Sequence, residues 1–235
     1  MRLAVIPARG GSKRIPRKNL KEFHGRPIMS YSIEAALTSG LFDRVWVSTD
    51  DEAIADCAHQ YGAEVPFVRP AELADDYAGT NAVARHAADW ASDNGIAVRE
   101  LCCLYATAPF VTADDLRSAR SMLASDVDFV FAASHFDFPV QRALVRTPEG
   151  LVMPMFPHWI RSRSQDLTEA LHDAGQFYWG WPESFRNFTV PFEARARAYQ
   201  LPRDRVQDID TIEDWVRAER IYRVWKEASC ASRSA

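Results

Sequence analysis

Nowhere in this 235-residue chain do apolar residues run for anything near the roughly twenty that a membrane-spanning helix needs, so no membrane segment is expected. The first apolar run, Leu3 to Ala8, is too short for a secretory signal and leads into a basic loop. Cysteine is scarce, and Cys57, Cys102, Cys103 and Cys230 show no zinc spacing. Cys102 and Cys103, neighbours on an expected strand, point to opposite faces and cannot chelate together. Buried, reduced thiols and a cytoplasmic location are expected. The 10 glycines and 13 prolines are too few for a collagen-like or disordered chain. An excess of positive charge is also missing: the net charge of -4 argues against nucleic acid as a partner. Neither the Gly-x4-Gly-Lys-Ser/Thr loop nor the Gly-x-Gly-x-x-Gly fingerprint occurs, which disfavours a P-loop kinase or a dehydrogenase.

What is present is ordinary in bulk and uneven in distribution. The length suits one large α/β domain, residues 1–235, without internal repeats. Strands are expected at Leu3–Pro7, Arg44–Ser48, Glu64–Val68, Glu100–Tyr105 and Asp128–Ala133. Helices are expected from Pro27 to a stop at Gly40, and at Asp51–Tyr61, Thr80–Ser92, Asp114–Leu123 and Thr211 to about Lys226. Strands alternating with helices predict βαβ units, a mainly parallel sheet and helices on both faces. Ligands of such sheets bind at the carboxyl ends of strands, so the loops after Pro7, Ser48, Val68 and Tyr105 should border one site. Phe136 to His172 breaks the rhythm with Pro139, Pro148, Pro154 and Pro157. We read it as an excursion carrying a hairpin, whose apolar run Leu151–Ile160 suits a partner subunit better than solvent.

Two features carry chemistry. Between Arg9 and Arg26 stand seven basic residues and one acid, so this short segment is +6 while the remaining 217 residues total -10. Inside it, Gly10 and Gly11 let backbone N–H groups approach phosphate oxygens, and the lysines and arginines can offset the charge of a triphosphate. The bland alternative is a solvated basic loop. The second feature is Asp208-Ile209-Asp210, two carboxylates on one side of an extended segment and within reach of one divalent ion. Here the alternative is structural: Asp210 with Glu213 has the spacing of a helix capping box, and Asp208 would be a surface charge. Ser48-Thr49-Asp50-Asp51-Glu52 reads as a cap for the helix that follows. His172-Asp173 could be a base and its orienter or ordinary surface residues, and Trp179 and Trp181 read as packing.

Residue by residue, Ile6-Pro7-Ala8-Arg9-Gly10-Gly11-Ser12-Lys13 with Lys18-Asn19 resembles the signature loop of the CMP-sialic acid synthetase family. Arg69-Pro70-Ala71-Glu72-Leu73-Ala74 and Asp208-Ile209-Asp210-Thr211 are similar to its later motifs, so the resemblance spans nearly the whole chain. Within the family, Tyr105-Ala106-Thr107-Ala108-Pro109, Phe138-Pro139-Val140-Gln141-Arg142 and the segment His172 to Gly180 look most like the branch that activates pseudaminic acid.

The resemblance implies a Rossmann-like nucleotidyltransferase fold, a homodimer with an exchanged arm, and Mg2+. It implies that Arg9, Gly10, Gly11, Ser12, Lys13, Lys18 and Asn19 hold the phosphates and ribose of CTP, with Arg9, Lys13 and Lys18 acting in catalysis. Arg69, Ala78 and Thr80 would border the cytosine. Tyr105, Thr107, Gln141, Arg142, Gln176 and Tyr178 would face an acidic nine-carbon sugar, and Asp208 and Asp210 would hold the metal. Sialic acid enzymes of the family usually carry glutamine where this chain has Tyr105, which points away from N-acetylneuraminate; N-acetylneuraminate and legionaminate stand as the alternative sugars. No residue stands out as a general base, so a metal-bound or water-relayed deprotonation is expected. Two other classes compete with this reading. A glycosyltransferase usually carries its Asp-x-Asp motif mid-chain rather than near the end. A non-catalytic nucleotide sensor would have no need of Lys13, Lys18, Asp208 and Asp210 together.

Overall fold

The computed structural model describes residues 1–75, 78–188 and 190–231. In chain order its elements are β1 (Arg2–Pro7), β2 (Glu22–Phe23), β3 (Arg26–Pro27), α1 (Met29–Ser39), β4 (Arg44–Ser48), α2 (Glu52–Gln60), α3 (Thr80–Asp93) and β5 (Glu100–Leu104). There follow α4 (Ala113–Ser121), β6 (Phe129–His135), β7 (Leu144–Arg146), β8 (Val152–Pro154), β9 (Leu171–Gly180), α5 (Pro182–Asn187), β10 (Ala196–Gln200) and α6 (Ile212–Ala231). Six strands form the central sheet in the order β10-β6-β9-β5-β1-β4. β4, β1 and β5 pair in parallel, as do β6 and β10, while β9 runs antiparallel between β5 and β6. Because β5 and β6 both oppose β9, they point the same way, and every strand but β9 ends at one edge.

Side-chain alternation along the strands divides the core. Ala4, Ile6, Cys102 and Trp179 turn to the face covered by α1, α2 and α4 through Met29, Ile33, Ile54, Leu116 and Ala119. Leu3, Val5, Cys103 and Tyr178 turn to the other, covered by Ala84, Ala87, Ala88 and Ala91 of α3 and by Phe185 of α5. The helices therefore lie on both faces, as expected. Cys57, Cys102 and Cys103 are buried free thiols, and burial pushes the Cys103 thiol up to about 12; the Cys230 thiol lies outside the described side chains. Trp179 is packing, stacked on Phe42 at 5.0 Å.

A third cluster fastens α6 across the basic loop. Ile15, Phe23, Ile28 and Tyr31 pack with Phe110, Ile209, Trp215, Ala218 and Tyr222. Four elements depart from expectation. Glu64–Val68 makes only isolated bridges, Trp46 to Glu64 and Thr49 to Val68, because Pro66 has no N–H to continue a ladder. Pro27 belongs to β3 rather than a first helical turn; His24 (φ 47°) and Gly25 (φ 87°) turn the chain between β2 and β3, as a two-residue hairpin loop requires. The excursion ends before Leu171, since His172 already pairs with Ser134 in the main sheet. Its hairpin is β7 with β8. Finally, the cap of α6 is Thr211 with Asp214, not Asp210 with Glu213: the Asp214 N–H donates to Thr211 Oγ1 at 3.2 Å, and the Thr211 N–H donates to Asp214 Oδ2 at 2.9 Å.

Candidate active site

At the carboxyl edge of the sheet, a cavity of about 490 Å³ opens between the basic loop, the segments after β4 and β5, the start of α3, and the strap that enters α6. Pro7, Arg9, Ser12, Lys13, Arg14, Lys18 and Asn19 line one side, and Arg69, Leu73, Asp75, Ala78, Thr80, Tyr105, Thr107 and Asp210 line the rest. Of the loops expected to meet there, those after Pro7 and Tyr105 supply lining residues directly. The one after Ser48 contributes through Asp50, and the one after Val68 begins with Arg69. Five cationic side chains against two carboxylates make the lining strongly positive, which suits a polyphosphate.

The loop is held in shape from outside. The Gly10 N–H donates to Asp50 Oδ1 at 2.9 Å. A Cβ on Gly10 would sit 2.8 Å from Asp51 Oδ2 and 2.9 Å from Asp51 Cβ, so only glycine lets the loop pass α2 this closely. Gly11 meets no such wall. Asp51 is engaged at the other end of its carboxylate as the cap of α2, accepting from the Ile54 N–H at 3.0 Å. Asn19 Nδ2 donates to the Arg9 carbonyl at 2.9 Å, drawing the two ends of the loop together.

Arg69 is buried in the floor. Its guanidinium donates to Ser48 Oγ at 3.1 Å and to the Ser48 carbonyl, fixing the fork beneath the cavity. Loss of water lowers its pKa to about 10, against the opposing pull of Asp50, so it stays cationic at neutral pH. Arg9 donates to the Asp75 carbonyl, and the Ala78 N–H donates to Asp75 Oδ1 at 2.7 Å. Thr80 Oγ1 donates to Tyr105 Oη at 3.1 Å.

The strap carries the carboxylate pair. Ile209 is buried in the third cluster, so its neighbours on an extended segment turn the other way. Asp210 Oδ1 lies 2.8 Å from Arg14 Nη2 and 3.5 Å from Lys18 Nζ, and Lys18 also donates to the Ile209 carbonyl at 2.7 Å. Crowding by protein raises the Asp208 carboxyl above its ordinary range, and the Asp210 charge raises it further. Among the described residues there is no cluster of three or more metal-ligating side chains. Asp210 lines the cavity, whereas Asp208 is exposed and is not among its lining residues; a pair of carboxylates suits magnesium, which is held by one or two of them while phosphates and water complete its shell.

The expected sugar residues divide. Tyr105 and Thr107 line the cavity. Tyr178 is buried behind Tyr105, with ring centroids 5.9 Å apart, and donates to Asp173. Gln176 is buried, and its Nε2 donates to the Arg205 carbonyl at 2.7 Å. Gln141 and Arg142 are not brought to this cavity within the chain: they sit at the root of the excursion, donating to the Thr168 carbonyl at 2.7 Å and to the Ser162 carbonyl. His172 makes no base-orienter pair with the Asp173 carboxylate, since its Nδ1 meets the Asp173 carbonyl at 2.8 Å. Sequence reasoning missed Arg14, Ser48, Asp50 and Asp75. Arg14 is one of the seven basic residues between Arg9 and Arg26, and Asp50 stands in a segment that reads as a helix cap; nothing local to Asp75 distinguishes it.

A positively lined cleft behind a glycine-containing loop, at the carboxyl edge of a mainly parallel sheet, is the design of a nucleotidyltransferase. Residues 3–141 match the family model for cytidylyltransferases, and the chain belongs to that family. It is 45% identical over 228 residues to a pseudaminic acid cytidylyltransferase of Campylobacter jejuni, covering 97% of this chain and 98% of the relative. It is 29% identical to an N-acylneuraminate cytidylyltransferase of Streptococcus agalactiae, covering 91% of this chain and 51% of that protein. Among solved structures, a CMP:2-keto-3-deoxy-manno-octonic acid synthetase complexed with CTP superposes with a TM-score of 0.68 at 17% identity, covering 94% of this chain and 98% of the other. That likeness establishes the Rossmann-like fold.

Proposed function

We propose that this cytidylyltransferase joins CTP to pseudaminic acid, releasing pyrophosphate, as a magnesium-dependent homodimer in the cytoplasm. The observation that carries the sugar assignment is Tyr105 on the cavity wall, half-buried, with its hydroxyl engaged by Thr80. A glutamine there would offer an amide donor and acceptor to a sugar hydroxyl. Tyrosine offers an aromatic face suited to a methyl or deoxy carbon. The relative 45% identical over nearly its full length bears the same substrate in its name.

The chemistry is an in-line displacement. The anomeric hydroxyl oxygen forms a bond to the α-phosphorus, the bond from that phosphorus to the bridging oxygen breaks, pyrophosphate departs, and the hydroxyl proton passes to water. Arg9, Lys13 and Lys18 offset charge on the phosphates as it builds on the leaving group. Gly11, with open space where a Cβ would stand, lets the backbone approach the same oxygens, while Gly10 holds the loop through its N–H on Asp50. Asp208 and Asp210 would hold magnesium, which supplies Lewis-acid stabilisation of phosphoryl charge when bound. Arg69, already fixed by Ser48, Ala78 and Thr80 border the base. No helix among the described residues is long and apolar enough to cross a membrane.

The dimer rests on the excursion. Its surface exposes Phe138 (82%), Leu151 (67%) and Val152 (66%), with Leu144, Met153, Met155, Trp159 and Ile160. Contiguous apolar surface of this kind is rarely left to solvent. The enzymatic reading is tested by pyrophosphate release from CTP with pseudaminic, legionaminic and N-acetylneuraminic acids side by side. Pseudaminate is expected to turn over fastest. N-acetylneuraminate used as well or better would defeat the Tyr105 argument and make the chain a sialic acid synthetase.

A further inference from the structure

We infer that Asp173 is a positioning residue for the sugar side of the cleft: it staples a bulge in β9 that sets the orientation of Tyr105. The inference rests on the reading of Tyr105 as a sugar contact. In a regular strand Asp173 and Tyr178, five residues apart, would point to opposite faces. Here a step of two along β6, Phe131 to Ala133, is matched by a step of five along β9, Tyr178 to Asp173. Paired residues share a face, so the irregularity returns both side chains to the same side.

Asp173 then closes the bulge at both ends. Its Oδ1 accepts the Gly175 N–H at 2.9 Å, and its Oδ2 accepts the Tyr178 hydroxyl. Gly175 takes φ +58°, a left-handed conformation that side-chain-bearing residues rarely adopt.

Tyr105 leans on this bulge by three contacts. Its N–H donates to the Gln176 carbonyl at 2.8 Å. Its ring carbon Cε2 lies 3.8 Å from where a Gly175 Cβ would stand, and its ring meets Tyr178 at a centroid distance of 5.9 Å. On the opposite side the ring faces the cavity and the hydroxyl meets Thr80. Tyr178 is itself backed by Phe131, at 6.5 Å between centroids. Asp173 is absent from the cavity lining. It acts on the sugar through Tyr178 and Tyr105, and its link to the nucleotide side of the cleft is the Thr80 hydrogen bond to the Tyr105 hydroxyl, so the sugar side should respond more strongly than the base side.

The test uses Asp173→Ala, Tyr178→Phe, their double variant and Asp173→Asn in the full-length chain, with two readouts. In kinetics at saturating CTP, Asp173→Ala and Tyr178→Phe should each raise KM for the nonulosonic acid by about 5- to 150-fold, the range for one buried hydrogen-bonded group left unpaired. KM for CTP should rise far less than KM for the sugar, and the double variant should be no worse than Asp173→Ala alone, because the one contact that Tyr178→Phe removes is among the two that Asp173→Ala removes. Asp173→Asn keeps an acceptor for Gly175 and should recover part of the loss. In NMR without sugar, the Tyr105 ring signals should shift in both single variants. An unchanged sugar KM, an equal rise in KM for CTP, or unmoved Tyr105 signals overturns the inference. If wild type uses no nonulosonic acid, the proposed function falls, and the Tyr105 signals alone decide the positioning role.

Discussion

The strap before α6 offers two substitutions whose effects should cross. Asp214→Ala removes the carboxylate that accepts the Thr211 N–H at 2.9 Å, the Thr211 hydroxyl at 2.8 Å and the Asp210 N–H at 3.2 Å. Loss of such a cap costs about 0.5–2 kcal/mol. In a chain of this size each kcal/mol lowers Tm by roughly 2–4 °C, so a fall of about 1–8 °C is expected. Turnover should stay within about an order of magnitude of wild type, since only one hydrogen bond to the Asp210 backbone is lost. Asp210→Ala should do the opposite. Among the described residues its carboxylate meets Arg14 and Lys18 near the surface rather than the cap, in pairs worth about 0–1 kcal/mol. Turnover, by contrast, should fall by about 10²-fold or more, as removal of a transition-state electrostatic contact does. Asp208→Ala should follow Asp210→Ala. Thermal melts and pyrophosphate release on the same preparations separate the two patterns. An Asp210→Ala protein that melts well below Asp214→Ala would restore the cap reading. Near-normal magnesium-dependent activity in both Asp208→Ala and Asp210→Ala would remove the metal assignment.

Asp115 is the acid-sensitive tie of the fold. It is buried between Arg205, at 2.7 and 2.9 Å, and the Tyr199 hydroxyl at 3.0 Å. Burial alone would push its carboxyl up, but the Arg205 and Thr112 hydrogen bonds hold it below the ordinary 3.8. A depressed carboxyl contributes stability above the unfolded value and loses it as pH falls through the folded one, so this contribution should be whole well above about pH 4 and be lost progressively as pH falls through the lower folded value. Asp115→Ala, which strands the half-buried Arg205, should cost about 3–5 kcal/mol in urea melts at pH 7 and progressively less as pH falls below the unfolded carboxylate value; a loss that does not shrink on acidification would contradict this. Light scattering should give twice the 26.6 kDa chain mass, and Val152→Lys with Met153→Lys should shift it toward monomer; an active wild-type monomer would refute the interface. UTP should be used roughly 5- to 150-fold less well than CTP, because uracil places an acceptor where cytosine has a donor. Equal rates would remove the roles given to Arg69, Ala78 and Thr80.

How much of this was legible beforehand depended on the range of the interaction concerned. Local signals held where one segment decides its own state. Gly40 ends α1 in the left-handed region at φ 66°, Asp51 caps α2, and the alternation of β1 and β5 assigns Ile6 and Cys103 to opposite faces of the sheet. The basic loop was legible as a wall of the cleft because charge and glycine are concentrated within a few residues after a core strand. A strand at Glu64–Val68 was overread, since apolar composition outweighed the missing N–H of Pro66.

Other features depended on which partner wins, and spacing along the chain does not decide that. Asp210–Glu213 and Thr211–Asp214 have the same capping interval. Burial of Ile209 against Trp215 and Phe23 sets the phase of the strap, leaving Asp214 for the cap and Asp210 for the cleft. Asp50, Asp75 and Arg14 join the site through contacts made across the fold with Gly10, Arg9 and Asp210. The bulge in β9 is the clearest case. Its composition offered only a glycine and an aspartate, and the pairing with β6 turned an odd spacing into a shared face. Periodicity assigned the layers, and concentrated charge and glycine marked the loop that lines the cleft. Long-range packing decided which carboxylates and which tyrosine face the cleft, because a side chain's direction depends on the register of the neighbours that bury its flanks.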